Sequence, residues 1–173
     1  MLSKSTVTGI GATILIGAII LILTAVSAAS AFAAPADDSC ALLTQAQVSA
    51  ALGVAMGAGQ HISAGSSMCG WYEAGSSVSG PNGKKALLDL YAPIGGLSPV
   101  DRFNNAKTPI KGITKTPVAG IGDEAIFVAT PGIGTALIVR KGSSVFQIRV
   151  AGFSAEQMQS MEKSLAQNVV AKL

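Results

Sequence analysis

Charged side chains are scarce in this chain. Aspartate, glutamate, lysine and arginine make up 12% of its 173 residues, about half the usual share in a globular protein, and the formal net charge is only +3. The lysines and arginines are scattered rather than gathered into a stripe interleaved with aromatic residues. Such a surface does not follow a phosphate backbone, so we expect no nucleic acid as a partner.

Side chains that carry catalysis are also few. His61 is the one histidine, and the chain lacks the Gly-x-Ser-x-Gly turn that exposes the nucleophile of many hydrolases. Asp123 and Glu124 are adjacent, and neighbours on a strand point to opposite faces, so we expect them to hydrogen-bond a turn rather than share acid–base work. We predict a non-enzyme without a cofactor, since Gly120-Ile121-Gly122 lacks the third glycine of a dinucleotide site. A hydrolase built around His61 is the alternative.

A long apolar run begins the chain. Residues 1–8 carry one lysine and no acid, and residues 10–26 are apolar apart from glycine and threonine. Ala31-Phe32-Ala33 then matches the small-x-small pattern that signal peptidase recognises. We therefore predict a signal peptide over residues 1–33, cleaved after Ala33, and export to the periplasm or the extracellular space.

The expected organisation of the mature protein follows from this cleavage site. Residues 34–39 form a short polar lead-in, and residues 40–173 form a single domain. An uncleaved anchor is the alternative, because residues 10–29 approach the ~20 apolar residues that span a bilayer. Lipidation of Cys40 is a third interpretation, which the polar residues 37–39 oppose. Membrane contact is expected only if the N-terminal segment is retained.

The two cysteines, Cys40 and Cys69, allow one pairing. In an oxidising compartment such a pair most often forms a structural disulfide. Closing a loop of about 30 residues contributes on the order of 3.5 kcal/mol by the chain-entropy model. A redox or zinc pair is the alternative, but there is no Cys-x-x-Cys and the spacing matches no zinc motif. A copper site joining His61 to Met56, Met68, Met158 and Met161 is a further alternative, although Met158 and Met161 fit a helix core better.

Capping signals predict three helices. Thr44 begins a capping box before the first, and Gly53 ends it. Ser98 precedes Pro99 at the start of the second, and Ser154 begins the last. The last helix has an apolar stripe at helical spacing, formed by Met158, Met161, Leu165 and Val169.

Apolar segments between glycine turns predict the strands. They are residues 61–64, 68–74, 86–92, 125–129, 136–140 and 145–150, whereas residues 107–117 are expected to be extended or looped. Short glycine turns join the last three strands, which therefore form an antiparallel meander. In the final strand polar and apolar residues alternate, so one of its faces is expected to be wet. A helix closing over such a sheet predicts an α+β fold.

Short motifs resemble those of small secreted or lipoprotein-type bacterial envelope proteins of unknown function. The motifs are Cys40-Ala41-Leu42-Leu43-Thr44, Cys69-Gly70-Trp71, Gly120-Ile121-Gly122-Asp123-Glu124-Ala125 and Val139-Arg140-Lys141-Gly142. The resemblance implies a compact sheet-and-helix fold similar to the PsbP-like sandwich, and it implies no catalytic residue. Members of this family often carry a lipid-anchored cysteine, a pattern from which this chain departs at residues 37–39.

Trp71 and Tyr72 are our candidate binding face. They are neighbours on a predicted strand, so one is expected to enter the core and the other to face solvent. An exposed Tyr72 would mark a surface for a partner. We therefore expect an exported, non-catalytic module that binds an envelope protein or a small ligand. An accessory subunit of a membrane complex, held by its N-terminal segment, is the remaining alternative.

Overall fold

The computed structural model describes residues 38–76 and 83–173. The predicted signal peptide and most of the lead-in lie outside these residues. The strands are β1 (Gln60–His61), β2 (Met68–Tyr72), β3 (Lys85–Leu90), β4 (Thr114–Val118), β5 (Glu124–Thr130), β6 (Gly134–Lys141) and β7 (Ser144–Ala151). The helices are α1 (Ser39–Leu42), α2 (Gln45–Leu52), α3 (Pro99–Lys107) and α4 (Ala155–Val170). In this part of the chain no helix is both long and apolar enough to cross a membrane.

The seven strands form one antiparallel sheet in the order β1-β2-β3-β7-β6-β5-β4. β5, β6 and β7 are neighbours in sequence and in the sheet, which confirms the predicted meander. β3 lies beside β7, with Leu88 opposite Ile148, so residues far apart in the chain meet at the centre of the sheet. α4 packs on β6 and β7, which confirms the α+β class.

Alternation along the strands divides the sheet into two faces. The first face packs against α1 and α4, α2 packs on α4, and this side holds most of the apolar core. Its fully buried strand residues include Cys69, Trp71, Leu88, Leu137, Val139, Phe146 and Ile148. The second face is packed by α3 over part of its width, where Phe103 is buried among Ile126, Ile138 and Val145. The sheet is therefore covered unequally on its two sides.

The predicted helix starts are confirmed. The Thr44 side chain accepts the backbone N–H of Gln47, and the Gln47 side chain accepts the backbone N–H of Thr44. The same reciprocal capping box occurs at Ser98 and at Ser154. Gly53 follows α2 in the left-handed region, with φ 67°. Each box satisfies backbone donors that the helix itself leaves free, so these ends are specified locally.

Three elements differ from the sequence expectations. The segment expected to be extended or looped contains strand β4, and β1 is only two residues long. β4 includes Pro117, which has no N–H to donate, and it is tolerated because β4 is the outermost strand. Helix α1 begins at Ser39, inside the expected lead-in, because Asp38 caps it by accepting the N–H of Cys40.

Candidate binding face and associated polar groups

The second sheet face continues beyond α3 onto β2, β3 and the end of β7. Pairing places its outward side chains in cross-strand rows, with Tyr72 opposite Lys85, Leu87 opposite Arg149, and Asp89 opposite Gln147. Arg149 is exposed and the others are half-buried. We call the surface formed by Met68, Tyr72, Lys85, Leu87, Asp89, Gln147 and Arg149 the open face.

The two predicted binding-face residues separate onto opposite sides of the sheet. Trp71 is fully buried in the core, so it takes no part in a surface, and strand alternation places Tyr72 on the opposite side of the sheet. Gly59 accommodates its indole, because a Cβ there would stand 2.7 Å from the ring. Tyr72 lies on the open face across Gly70, where an added Cβ would stand 2.9 Å from the Tyr72 hydroxyl oxygen. Because Gly70 has no side chain, the ring of Tyr72 can pack over its backbone.

Two cations and one acid set the charge of the open face. Within the described part of the chain, neither Lys85 nor Arg149 forms an ion pair with a carboxylate. Asp89 accepts a hydrogen bond from the Ser67 hydroxyl at 2.8 Å. The acid therefore has a hydrogen-bond partner of its own, while among the described residues no carboxylate lies within ion-pair distance of either cation.

Tyr91 stands between the open face and α3. Its hydroxyl donates to Gln147 at 3.0 Å, and the Arg102 guanidinium lies 4.0 Å from its ring centroid. Burial raises the pKa of Tyr91, and the charge of Asp89 adds to the rise. A cavity of about 390 Å³ adjoins it, lined by Ser67, Leu90, Tyr91, Ala92, Pro93, Pro99, Ser143 and Ser144. This lining has hydroxyl groups but no histidine or carboxylate that would activate one.

A larger cavity of about 590 Å³ lies beside the turn between β4 and β5. Its two acids serve the fold. Asp123 accepts the backbone N–H of Gly142 at 2.7 Å, and this bond is the main reason that its pKa is lowered. Arg140 and Lys107 pair with Asp123 and Glu124 at 3.2 and 2.9 Å. Asp123 therefore holds the turn between β6 and β7, as expected, whereas Glu124 pairs with a lysine of α3 rather than with a turn.

Glu162, on α4, is a fully buried acid. Its carboxylate accepts the backbone N–H of Val150 at 3.0 Å and the hydroxyl of Thr135 at 3.2 Å. The pairing of β6 with β7 ends where Leu137 faces Ile148, so the carboxylate occupies the gap just beyond the last paired residues. Burial raises the pKa of Glu162 to about 7, although both hydrogen bonds act in the opposite direction.

The sequence carried a signal for this buried acid. Within the predicted stripe Leu165 and Val169 are fully buried, whereas Met158 and Met161 are half-buried. Position 162 follows 158 by four and precedes 165 by three, which is the spacing of one helix face. The predicted stripe did not include Glu162, although its spacing places it on the same helix face.

The predicted disulfide is present between Cys40 and Cys69 and ties α1 to β2. His61 lies beside it, opposite Cys69 in the β1–β2 pairing. The His61 Nε2 atom is 3.4 Å from Asp38 Oδ1. No serine hydroxyl in the described residues forms a hydrogen bond with His61, so the histidine has an acidic partner but no nucleophile in contact.

The methionines of the copper alternative are spread over the molecule. Met56 is buried in the core near α2, while Met158 and Met161 are half-buried on α4. Met68 lies on β2 next to Cys69, but on the open face, which is the opposite side of the sheet from Cys69. α4 packs on β6 and β7, whereas His61 belongs to β1 at one edge of the sheet. The structure therefore does not assemble these sulfur atoms around the histidine.

No protein-family model, curated protein or solved structure matches this chain. The class of protein is therefore defined by its own fold and surface. It is an antiparallel α+β unit, closed by a disulfide at its N-terminal end, with one sheet face covered by helices and the other partly open. The resemblance to bacterial envelope proteins stays a prediction.

Proposed function

We propose that this protein is an exported, non-catalytic module of the bacterial envelope that binds an acidic protein partner through the open face. One observation carries the proposal: α3 leaves Tyr72, Leu87 and Arg149 accessible on a sheet whose other side is covered by helices. The disulfide supports an oxidising compartment outside the cytoplasm. Export itself rests on the predicted signal peptide.

The composition of the open face favours a protein partner. Tyrosine and arginine supply much of the binding energy at protein interfaces, and here they flank a half-buried leucine. Lys85 and Arg149 are diagonal neighbours on β3 and β7, so their Cβ atoms are roughly 7–8 Å apart. A partner with carboxylates on either side of an apolar group would match both the cations and Leu87. Charge complementarity of this kind favours rapid association and the correct orientation.

Site-specific photo-crosslinking in the native cell tests the location of the interface. A photoreactive phenylalanine analogue replaces Tyr72, and in a matched strain it replaces Gln167, which is exposed on α4. The proposal expects a protein adduct that forms from position 72 and not from position 167. Adducts of equal yield from both positions, or none from position 72, would contradict it.

The affinity of this protein for the partner identified by crosslinking, measured with purified components, then tests whether the partner's contact surface is acidic. Arg149→Glu places an acid against the expected acidic patch, so it should weaken binding about tenfold or more, which is about 1.4 kcal/mol. Lys111→Glu makes the same charge change at an exposed loop position and should leave Kd unchanged. Equal affinities for the two variants, or tighter binding by Arg149→Glu, would exclude an acidic partner on this face.

A hydrolase using His61 is the alternative function. The contact between His61 and Asp38 supports it, and the lack of a contacting serine hydroxyl among the described residues counts against it. His61→Ala separates the two proposals, since a binding module should keep its partner affinity. An ester- or peptide-hydrolysing activity that disappears in a folded His61→Ala variant would establish the hydrolase. For the accessory-subunit alternative, membrane fractionation tests whether the N-terminal segment is retained.

A further inference from the structure

Four side chains with metal-binding atoms converge at the N-terminal disulfide. They come from three elements: Asp38 and Cys40 from the start of α1, His61 from β1, and Cys69 from β2. The ligand atoms of Asp38, Cys40 and His61 all lie within 4.8 Å of one another. Cys69 joins the group because its sulfur is bonded to that of Cys40 and its residue faces His61 across the β1–β2 pair.

From this convergence we infer that reduction of the disulfide creates a zinc site, with two thiolates, the His61 imidazole and the Asp38 carboxylate as ligands. An external dithiol transfers two electrons and two protons to the S–S bond; it becomes a disulfide, and Cys40 and Cys69 become thiols. Binding of Zn²⁺ then releases the two thiol protons, since the thiolate is the metal ligand. In the oxidised protein both sulfurs are bonded to each other, so this ligand set does not exist.

The ligand types favour zinc. Zn²⁺ is typically held in a tetrahedron of cysteine sulfur, histidine nitrogen and carboxylate oxygen, with bonds of about 2.0–2.3 Å. The ligand atoms of Asp38, Cys40 and His61 already lie within 4.8 Å of one another, so these three need only small side-chain movements to surround one ion. The Cys69 sulfur, bonded to that of Cys40 in the oxidised protein, moves to its own ligand position after reduction. Cys69 is fully buried, so this ligand is fixed by the core. The side chains of His61 and Asp38 are about 44% exposed, so a metal ion can reach the site from solvent.

Zinc in this position would take over the structural task of the disulfide. The disulfide closes the loop between residues 40 and 69, and the metal would join the same two residues after reduction. The loop from α1 to β2 would therefore stay closed in both redox states. This role is separate from the open face, which lies on the other side of the sheet from Cys69.

Cobalt titration tests the site directly. The protein is purified from its own cells, reduced with a phosphine under anaerobic conditions and titrated with Co²⁺, followed by competition with Zn²⁺. We expect one Co²⁺ per chain with thiolate-to-cobalt charge-transfer and tetrahedral ligand-field absorption, displaced by one Zn²⁺. The oxidised protein should show neither band. Absence of these bands from the reduced protein would overturn the inference.

Matched variants distinguish the four-ligand site from adventitious binding by two thiols. His61→Ala should lower Zn²⁺ affinity on the order of 100-fold, since even loss of an outer-shell partner costs 10–100-fold. Asp38→Asn should lower it less while retaining a side chain that caps α1. Gln60→Ala, on the same strand, should bind like the wild type. If His61→Ala and Asp38→Asn both bind Zn²⁺ as tightly as the wild type, the ligand set is wrong.

Thermal unfolding gives a second measurement of metal binding that does not depend on the absorption bands of cobalt. Zn²⁺ should raise the Tm of the reduced wild-type protein toward that of the oxidised protein, and it should raise the Tm of reduced His61→Ala far less. If the reduced chain unfolds without metal, zinc-driven recovery of the far-ultraviolet circular dichroism spectrum serves the same purpose. A zinc-independent Tm, or no recovery of structure, would contradict the inference.

Discussion

Replacing Glu162 with glutamine is expected to stabilise the protein at about pH 8 and to change its stability little at about pH 4. The reason lies in burial. The carboxyl group is fully enclosed between α4 and the gap that follows the paired residues of β6 and β7. Burial raises its pKa from an ordinary value of 4.5 to about 7, so the folded state favours the protonated form.

The sign and size of the effect follow from proton linkage. Between the unfolded and folded pKa values of Glu162 the folded state binds more protons, so the contribution of Glu162 to stability is most favourable below about pH 4.5 and falls as pH rises toward about 7. A rise from 4.5 to about 7 corresponds to roughly 3 kcal/mol lost across that interval. Glutamine is neutral at every pH and keeps a carbonyl oxygen for the Val150 N–H, so it escapes this loss.

Urea unfolding, followed by the fluorescence of the buried Trp71, measures the free energy of unfolding across this pH range. At low pH, Glu162→Gln should match the wild type within about 1 kcal/mol, the worth of one altered hydrogen bond. At about pH 8 it should be more stable by roughly 2–3 kcal/mol. Glu156→Gln, exposed on the same helix, should retain the wild-type pH dependence. A wild-type protein whose stability does not fall with pH relative to Glu162→Gln would refute the reasoning.

Two further predictions concern the backbone and the disulfide. Gly122→Ala should cost about 2–3 kcal/mol in urea unfolding, because the new Cβ would stand 2.6 Å from the Arg140 carbonyl oxygen at φ 61°. Gly120→Ala, with φ 79° but open space, should cost about 1 kcal/mol, and an equal cost at both glycines would disprove the close approach. Replacing Cys40 and Cys69 by serine should lower the free energy of unfolding by up to about 3.5 kcal/mol. Reduced wild-type protein, measured with a metal chelator, should lose a similar amount, and no loss in either sample would contradict the loop-closure account.

Local chemistry explains which parts of the fold were predictable. Thr44, Ser98 and Ser154 cap helices through contacts within three residues, and these caps appear where the sequence placed them. The short turns of the β5–β7 meander and the single cysteine pairing are similarly constrained. Residues 107–117 were expected to be extended or looped, and that β4 pairs as a strand there could not be predicted, because a strand containing Pro117 is tolerated chiefly at an edge and edge position is a property of the whole sheet.

The candidate sites also combine features that local sequence predicts with features that depend on tertiary packing. The sequence predicted that one of Trp71 and Tyr72 would face outward, since adjacent strand residues point to opposite sides. It did not indicate that α3 covers only part of the second face, because that coverage depends on how a helix near residue 100 packs on strands near residues 126–145. The proximity of His61 to the cysteines was also invisible, because it arises from the pairing of β1 with β2 and the docking of α1.

The sequence by itself therefore determined the starts of α2, α3 and α4, the alternating faces of the strands, the meander and the partner of each cysteine. The first three follow from interactions between residues close together in the chain, and the last follows because two cysteines allow only one pairing. Tertiary structure alone determined that Trp71 is the inward residue, that Glu162 occupies a buried gap, and that His61 and Asp38 meet at the disulfide. These features depend on contacts between residues distant in the chain, and burial and proximity exist only once those elements have packed together.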